Sequence, residues 1–223
     1  MIAPLTRAEV VTRIQATGVV AVIRLTDAAV GRDVAQALVA GGVTALEVTM
    51  TVPRAVALIE ELSSVLPDSC LIGAGTVVNA ATALDVMSAG ARFVVGPVLR
   101  RDVIAACRER DVPVMPGCFT PTEILEAWDA GADIVKVFPA TSLGPGFFKD
   151  LRGPMPQVKL MPTGGVTREN AGDWIRAGAV AIGVGTALVD AKAIAERRFN
   201  DITAAAKHFV QAVSDARKPG GRS

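Results

Sequence analysis

Ala130-Gly131-Ala132-Asp133-Ile134-Val135-Lys136-Val137-Phe138 sets a helix end, a buried strand and a charge inside that strand side by side. Glycine closes a helix because it takes the left-handed conformation without steric penalty. The apolar run that follows reads as a strand covered on both faces. Moving outward, the same phrase returns as Ala40-Gly41-Gly42, Ala89-Gly90-Ala91 and Ala177-Gly178-Ala179, each time ahead of another apolar run. The recurrence predicts βα units rather than unrelated Ala/Gly-rich helix ends. Strands are expected at 19–24, 45–49, 71–75, 93–96, 112–115, 134–138, 158–161 and 180–184. Alternation alone does not separate a closed barrel from an open sheet, but eight units in 223 residues select a small α/β chain of the (β/α)8 TIM-barrel class, whose size range starts near ~200 residues. One domain over residues 1–223 is expected, with an extra N-terminal helix at 6–17 and a frayed tail at 217–223. Helix starts are expected at Pro121-Thr122-Glu123 after Thr120, at Arg168-Glu169 after Thr167, and at Val52-Pro53.

Composition narrows the function. Apolar residues make up 51% of the chain and charged residues 20%, which suits doubly covered strands and is too apolar for a half-exposed antiparallel sheet. The 23 basic and 22 acidic residues are interspersed, so no bulk field steers the chain to nucleic acid or anionic lipid, and any anion must be held locally. The absence of tyrosine, with two tryptophans and seven phenylalanines, leaves little for a base-stacking surface. No membrane partner is expected either, because no apolar run approaches the ~20 residues that span a bilayer. The start Met1-Ile2-Ala3-Pro4-Leu5-Thr6-Arg7 lacks the apolar stretch of a secretory signal. Cys70, Cys107 and Cys118 form no close pair, which argues against a disulfide framework or cysteine-zinc cluster and for a reducing, cytoplasmic compartment.

In a barrel of this kind chemistry sits at the carboxyl ends of the strands. The polar residues there are Arg24, Glu47, Thr49, Thr76, Lys136 and Thr163, with glycines at 164, 165, 183 and 185. Burial disfavours the ammonium of Lys136 and turns it into an amine nucleophile toward ketones, unless a carboxylate simply neutralises it. Glu47, a second charge within an apolar run, can pass protons to and from a carbinolamine and an enamine, or can be that neutralising partner. Met161-Pro162-Thr163-Gly164-Gly165-Val166 and Ile182-Gly183-Val184-Gly185-Thr186 follow the last two strands. There, backbone N–H groups and a helix dipole can hold a phosphate, although tight turns alone also use such glycines. Gly183-Val184-Gly185 lacks the third glycine of a dinucleotide fingerprint. His208, the single histidine, falls in the C-terminal helix away from the strand ends, which argues against a Ser-His-Asp triad and a histidine metal site. Cys118 reads as a small buried side chain.

Leu46-Glu47-Val48-Thr49, Gly73-Ala74-Gly75-Thr76-Val77, Pro116-Gly117, Val135-Lys136-Val137-Phe138-Pro139-Ala140 and Pro162-Thr163-Gly164-Gly165 follow in order at strand ends. Together, across residues 17–190, they resemble the class I 2-keto-3-deoxy-6-phosphogluconate (KDPG) and 4-hydroxy-2-oxoglutarate (KHG) aldolase family. The resemblance implies that Lys136 attacks the C2 ketone to form an iminium while Glu47 moves protons through a bound water. It implies that Thr76 and Pro97 line the pyruvate end and that Phe138 packs beside the Schiff base. By the same resemblance Gly164, Gly165, Gly185 and Thr186 hold the phosphate, and Thr49 and Thr163 join the substrate-binding set. The implied substrates are a phosphorylated keto-deoxy sugar acid and pyruvate, KDPG first, with the galactonate isomer and KHG as alternatives. A place in the Entner-Doudoroff pathway, a homotrimer, and no metal or cofactor complete the expectation.

One departure stands out: the family's arginine two residues beyond Thr49 is here Thr51. Arg24 is expected to hold the substrate carboxylate instead, since a guanidinium binds carboxylate with two parallel bonds, unless it is only a rim ion-pair partner. Arg54 is a lesser substitute. Two other functions fit the same residues: a phosphosugar isomerase or synthase of this barrel type using Glu47 as base, and a noncatalytic phosphate-binding barrel in which Lys136 and Glu47 merely pair.

Overall fold

The computed structural model describes residues 5–218. Its strands are β1 (Val19–Ile23), β2 (Ala45–Thr49), β3 (Leu71–Gly75), β4 (Val94–Val95), β5 (Val114–Met115), β6 (Gly117–Cys118), β7 (Val135–Val137), β8 (Leu160–Pro162) and β9 (Ile182–Val184). The helices are α1 (Arg7–Thr17), α2 (Gly31–Ala40), α3 (Ala55–Val65), α4 (Ala80–Ser88), α5 (Arg101–Glu109), α6 (Pro121–Asp129), α7 (Gly144–Arg152), α8 (Ala171–Arg176), α9 (Ala191–Ala195) and α10 (Phe199–Arg217). β2 and β3 cover the residues expected of them; the other strands are shorter than expected.

All the pairings are parallel. A curled sheet runs in the order β5-β4-β3-β2-β1-β9, and a second runs β6-β7-β8. The fifth strand, expected at 112–115, keeps only Val114–Met115, and a short strand that was not expected follows Pro116, which has no N–H to give a ladder. On one side of it Val114 and Met115 pair with β4; on the other Gly117 and Cys118 pair with β7. Across the other seam, a lone bridge joins Thr163 to Gly183, and the Val180 amide donates to the Leu160 carbonyl.

Helix ends follow the glycine phrase. Gly42, Gly90, Gly131 and Gly178 have φ of +90°, +102°, +97° and +108°, so in the Ala40-Gly41-Gly42 version the second glycine makes the left-handed turn. Capping boxes start α1 at Thr6 with Glu9 and α6 at Thr120 with Glu123. Two helices start later than expected. Arg54, with φ of 54°, precedes α3, and α8 opens only at Ala171. The delay at α8 has a local cause: Thr167 and Asn170 exchange hydrogen bonds, Thr167 N–H to Asn170 Oδ1 at 2.8 Å and Asn170 N–H back to Thr167 Oγ1 at 3.4 Å. These bonds hold a turn in place of the first helical turn. The expected tail at 217–218 is also corrected. Arg217 ends α10 and donates to the carbonyls of Gln15, Ala16 and Val180 at 2.6–3.0 Å; the remaining tail expectation, 219–223, lies outside the described residues.

Alternation within the strands builds two cores. Outward positions such as Val19, Ala21, Ile23, Leu46, Val48, Ile72, Ala74, Val135 and Val137 pack against the surrounding helices. Inward positions Val20, Ala45, Leu71, Phe93, Val95, Met115, Ile134, Met161 and Ala181 form a smaller cluster, closed by Val10, Val11 and Ile14 of α1. The extra N-terminal helix therefore plugs the amino ends of the strands and leaves the carboxyl ends open. Gly73 lies opposite Phe93 in this inner layer, and a methyl group on its Cα would run into the Phe93 ring. Gly73→Ala is expected to destabilise the chain by about 1–3 kcal/mol in urea unfolding, and Phe93→Leu in the same chain to recover part of that loss. Purely additive effects of the two changes would show that the ring does not set the limit at Gly73.

Candidate active site

Two residues beyond the inner cluster, the same parity sends two charges into the interior. Glu47 follows Ala45 on β2 and Lys136 follows Ile134 on β7, and both are buried, at 1% and 5% exposure. The space for Glu47 is supplied by its neighbour strand: any side chain on Gly75 would collide with the Glu47 carboxylate. Neither carboxylate oxygen has a hydrogen-bond partner, and among the described residues no ion pair within 4.0 Å includes Glu47 or Lys136. The two are therefore not a closed structural pair. Burial raises Glu47 above the ordinary carboxylate value, with the positive charges of Lys136 and Arg24 pulling the other way. A group so placed can hold a proton, and give it up, nearer neutrality than a surface glutamate does. Lys136 Nζ lies 4.9 Å from the centre of the Phe138 ring, two residues along its own strand.

Above this layer opens a cavity of about 630 Å³, whose wall includes Arg24, Thr51, Phe138, Thr163, Gly165 and Thr186. Gly164 and Gly185 also line it, together with Val22, Leu25, Thr26, Pro53, Val166, Gly183, Val189 and Ala191. Gly164 and Gly165 are both left-handed, with φ of +86° and +73°. Asn170 ties this loop down by donating from Nδ2 to the Gly165 carbonyl at 2.8 Å. Among the described residues the amides of Gly165, Val166 and Thr186 have no protein acceptor, so the two loops present several N–H donors to one concave wall. Thr163 adds a buried hydroxyl without a partner, in space that a side chain on Gly183 would take. A cation, unpaired amides and an apolar flank suit a small anionic ligand.

The structure distributes the other expected residues differently. Thr49 is buried at the end of β2; its hydroxyl meets the Ile23 carbonyl at 3.1 Å and the Thr51 hydroxyl at 2.7 Å, so its capacity is used within the protein. Thr76, with φ of 60°, and half-buried Pro97 follow β3 and β4 and are not on the cavity wall. Arg24 lines the cavity and enters no ion pair among the described residues, whereas Arg54 is exposed and off the wall. Thr26, missed in the sequence reading, sits two residues past Arg24 and shares its side; continuing the strand's alternation one step into the loop would have found it. Cys118 is buried, its thiol pushed up to about 12 by burial and by Glu123 and Glu126, and it donates to the Glu123 carbonyl at 3.3 Å. His208 is exposed, with a ring nitrogen 3.3 Å from the Arg168 carbonyl.

A family model described as KDPG and KHG aldolase matches residues 10–205. The 2-dehydro-3-deoxy-phosphogluconate aldolase of Treponema pallidum (strain Nichols) is 34% identical over 208 residues, 92% of this chain and 96% of that protein. The 2-dehydro-3-deoxy-6-phosphogalactonate aldolase of Escherichia coli (strain K12) is 33% identical over 178 residues, 79% of this chain and 87% of that one. Among solved structures, the KDPG aldolase of Legionella pneumophila, with pyruvate captured as a covalent carbinolamine, superposes with a TM-score of 0.83 at 33% identity, covering 88% of this chain and 96% of that one.

The raised Glu47 has a thermodynamic signature. The folded chain holds the proton more tightly than the unfolded chain, so this group's contribution to stability is complete below the ordinary 4.5 and is lost as pH rises through the higher folded value. Glu47→Gln removes the titration. Scanning calorimetry is expected to show the melting temperature of the variant, relative to the parent, climbing as pH rises above the ordinary carboxylate value of 4.5; a difference independent of pH would contradict the burial of an ionisable carboxyl here.

Proposed function

The chain belongs to the KDPG and KHG aldolase family, and on that premise we propose that it cleaves KDPG to pyruvate and glyceraldehyde 3-phosphate through a Schiff base on Lys136. It is a carbon–carbon lyase. What supports the residue assignment is the burial of both Lys136 and Glu47, with the Lys136 charge felt at a Glu47 carboxyl group that has no protein partner of its own. In the forward direction the amine adds to the C2 ketone, and loss of water gives an iminium that draws electrons from the C3–C4 bond. Glu47, acting through water since it does not touch Lys136, takes the C4 hydroxyl proton as that bond breaks and later helps to protonate C3. Hydrolysis of the resulting iminium returns the amine and pyruvate. No step asks for a metal or cofactor.

Substrate ends are assigned by chemistry. The amides of Gly165 and Thr186 and the loops at Gly164 and Gly185 suit the phosphate, and Arg24 suits the carboxylate. Phe138 packs beside the reacting amine, and Thr163 offers its free hydroxyl to the bound chain. Thr76 and Pro97, off the cavity wall, are assigned to the pyruvate end on the family resemblance alone. The galactonate relative keeps 2-keto-3-deoxy-6-phosphogalactonate open as a second substrate.

We read the two sheets as the halves of one (β/α)8 barrel in a single domain. Pro116 links β5 directly to β6, the Thr163–Gly183 bridge spans the other seam, and the inner cluster draws on strands of both sheets. A homotrimer is part of the same proposal; the exposure of the large apolar side chains Val78, Val98 and Phe119, on the loops after β3, β4 and β6, supports it. Three free cysteines favour a cytoplasmic setting. Among the described residues no helix is long and apolar enough to cross a membrane.

Incubation with pyruvate and borohydride is expected to add one reduced pyruvyl group per chain at Lys136, located by peptide mass spectrometry. Lys136→Ala is expected to abolish both the label and KDPG cleavage, and Glu47→Gln to lower kcat by about a hundredfold to ten-thousandfold while labelling persists more slowly. Label on another lysine, or cleavage surviving in Lys136→Ala, would refute the assignment. An isomerase or a noncatalytic phosphate binder gives no adduct at all.

A further inference from the structure

Thr49 and Thr51 share a hydrogen bond whose direction the structure dictates. The Thr49 hydroxyl carries a single proton and is 3.1 Å from the Ile23 carbonyl oxygen, which can only accept. It is also 2.7 Å from the Thr51 hydroxyl. The arrangement without two lone pairs facing each other has Thr49 donating to Ile23 and Thr51 donating to Thr49. The Thr49 contact to Ile23 is buried, and a turn closed by the Val52 amide on the Thr49 carbonyl at 3.0 Å holds Thr51 above it.

With its own proton turned inward, Thr51 meets the cavity with lone pairs only. We infer that Thr51 is a specificity-determining acceptor that takes a hydrogen bond from a substrate hydroxyl, selecting keto acids with a hydroxyl on the carbon next to the reacting carbinol. This rests on the aldolase reading above. A carboxylate or a phosphate oxygen, itself an acceptor, is disfavoured at this position, and the donors for those groups stand elsewhere on the same wall, at Arg24 and at the amides of the glycine loop. The C4 hydroxyl surrenders its proton in the cleavage step, so the hydroxyl left for a purely binding contact in a six-carbon substrate is that on C5. Thr51 thus reads the aldehyde half of the molecule and not the pyruvate half.

The test runs the reaction in the condensing direction, with pyruvate and either glyceraldehyde 3-phosphate or 3-oxopropyl phosphate, which has the same charge and lacks only the hydroxyl that becomes C5–OH. The quantity read is the ratio of kcat/KM for the two acceptors, in the parent and in three variants; hydration of the free aldehydes cancels between proteins. Thr51→Val, which keeps the side-chain shape, is expected to lower the ratio by about threefold to tenfold, the worth of one neutral hydrogen bond. Thr51→Ser is expected to retain it. Thr49→Val frees the Thr51 proton to point outward and is expected to lower the ratio as well. A ratio unchanged in Thr51→Val, or unchanged in Thr49→Val, overturns the assignment while the aldolase reading stands. A parent chain that condenses neither acceptor with pyruvate overturns both.

Discussion

A strand covered on both faces has one place for an ammonium or a carboxylate, the inside of the curl, and the rest of this site depends on that constraint. Period-two alternation carries Ala45 to Glu47 and Ile134 to Lys136; a shift of one residue in either strand would drive its charge into the packed helices. The price of burying two charges is normally met by a salt bridge, yet here the carboxyl oxygens are left open and the glutamate's proton affinity rises instead.

The inner apolar cluster has a second role beneath those charges. α1 seals the amino ends of the strands, so the interior has a floor of Val10, Val11 and Ile14 against Val20, Leu71 and Met161, and it opens only at the carboxyl ends. Glycines then apportion the room. Gly75 leaves space for the Glu47 carboxylate and Gly183 for the Thr163 hydroxyl. Each is a position where a methyl group would push a buried polar side chain from its place. The Gly164-Gly165 turn, braced by Asn170, completes the wall with donors in place of side chains.

Much of this was legible in the chain itself, for reasons that differ by residue. Lys136 and Glu47 stood out because a charge within an apolar strand has few explanations. The strand positions and the four left-handed helix ends followed from patterns confined to a few neighbouring residues. Helix starts were less legible where side chains competed for the same amides, as Thr167 and Asn170 do before α8. Arg217 looked like tail because nothing near it in sequence could hold it; its partners, Gln15, Ala16 and Val180, come from the other end of the chain and from the edge of β9.

Sequence by itself determined which residues face inward, where the chain turns and which two charges enter the interior, since these depend on periods of two and on local backbone preferences. Tertiary structure alone decided that Glu47 and Lys136 form no ion pair, that a further short strand beyond Pro116 joins the second sheet, that Thr76 and Pro97 lie off the cavity wall, and which way the Thr49–Thr51 hydrogen bond runs. Each of those is set by distances between segments remote in the chain, and such distances appear only when the sheets have curled and the side chains have packed.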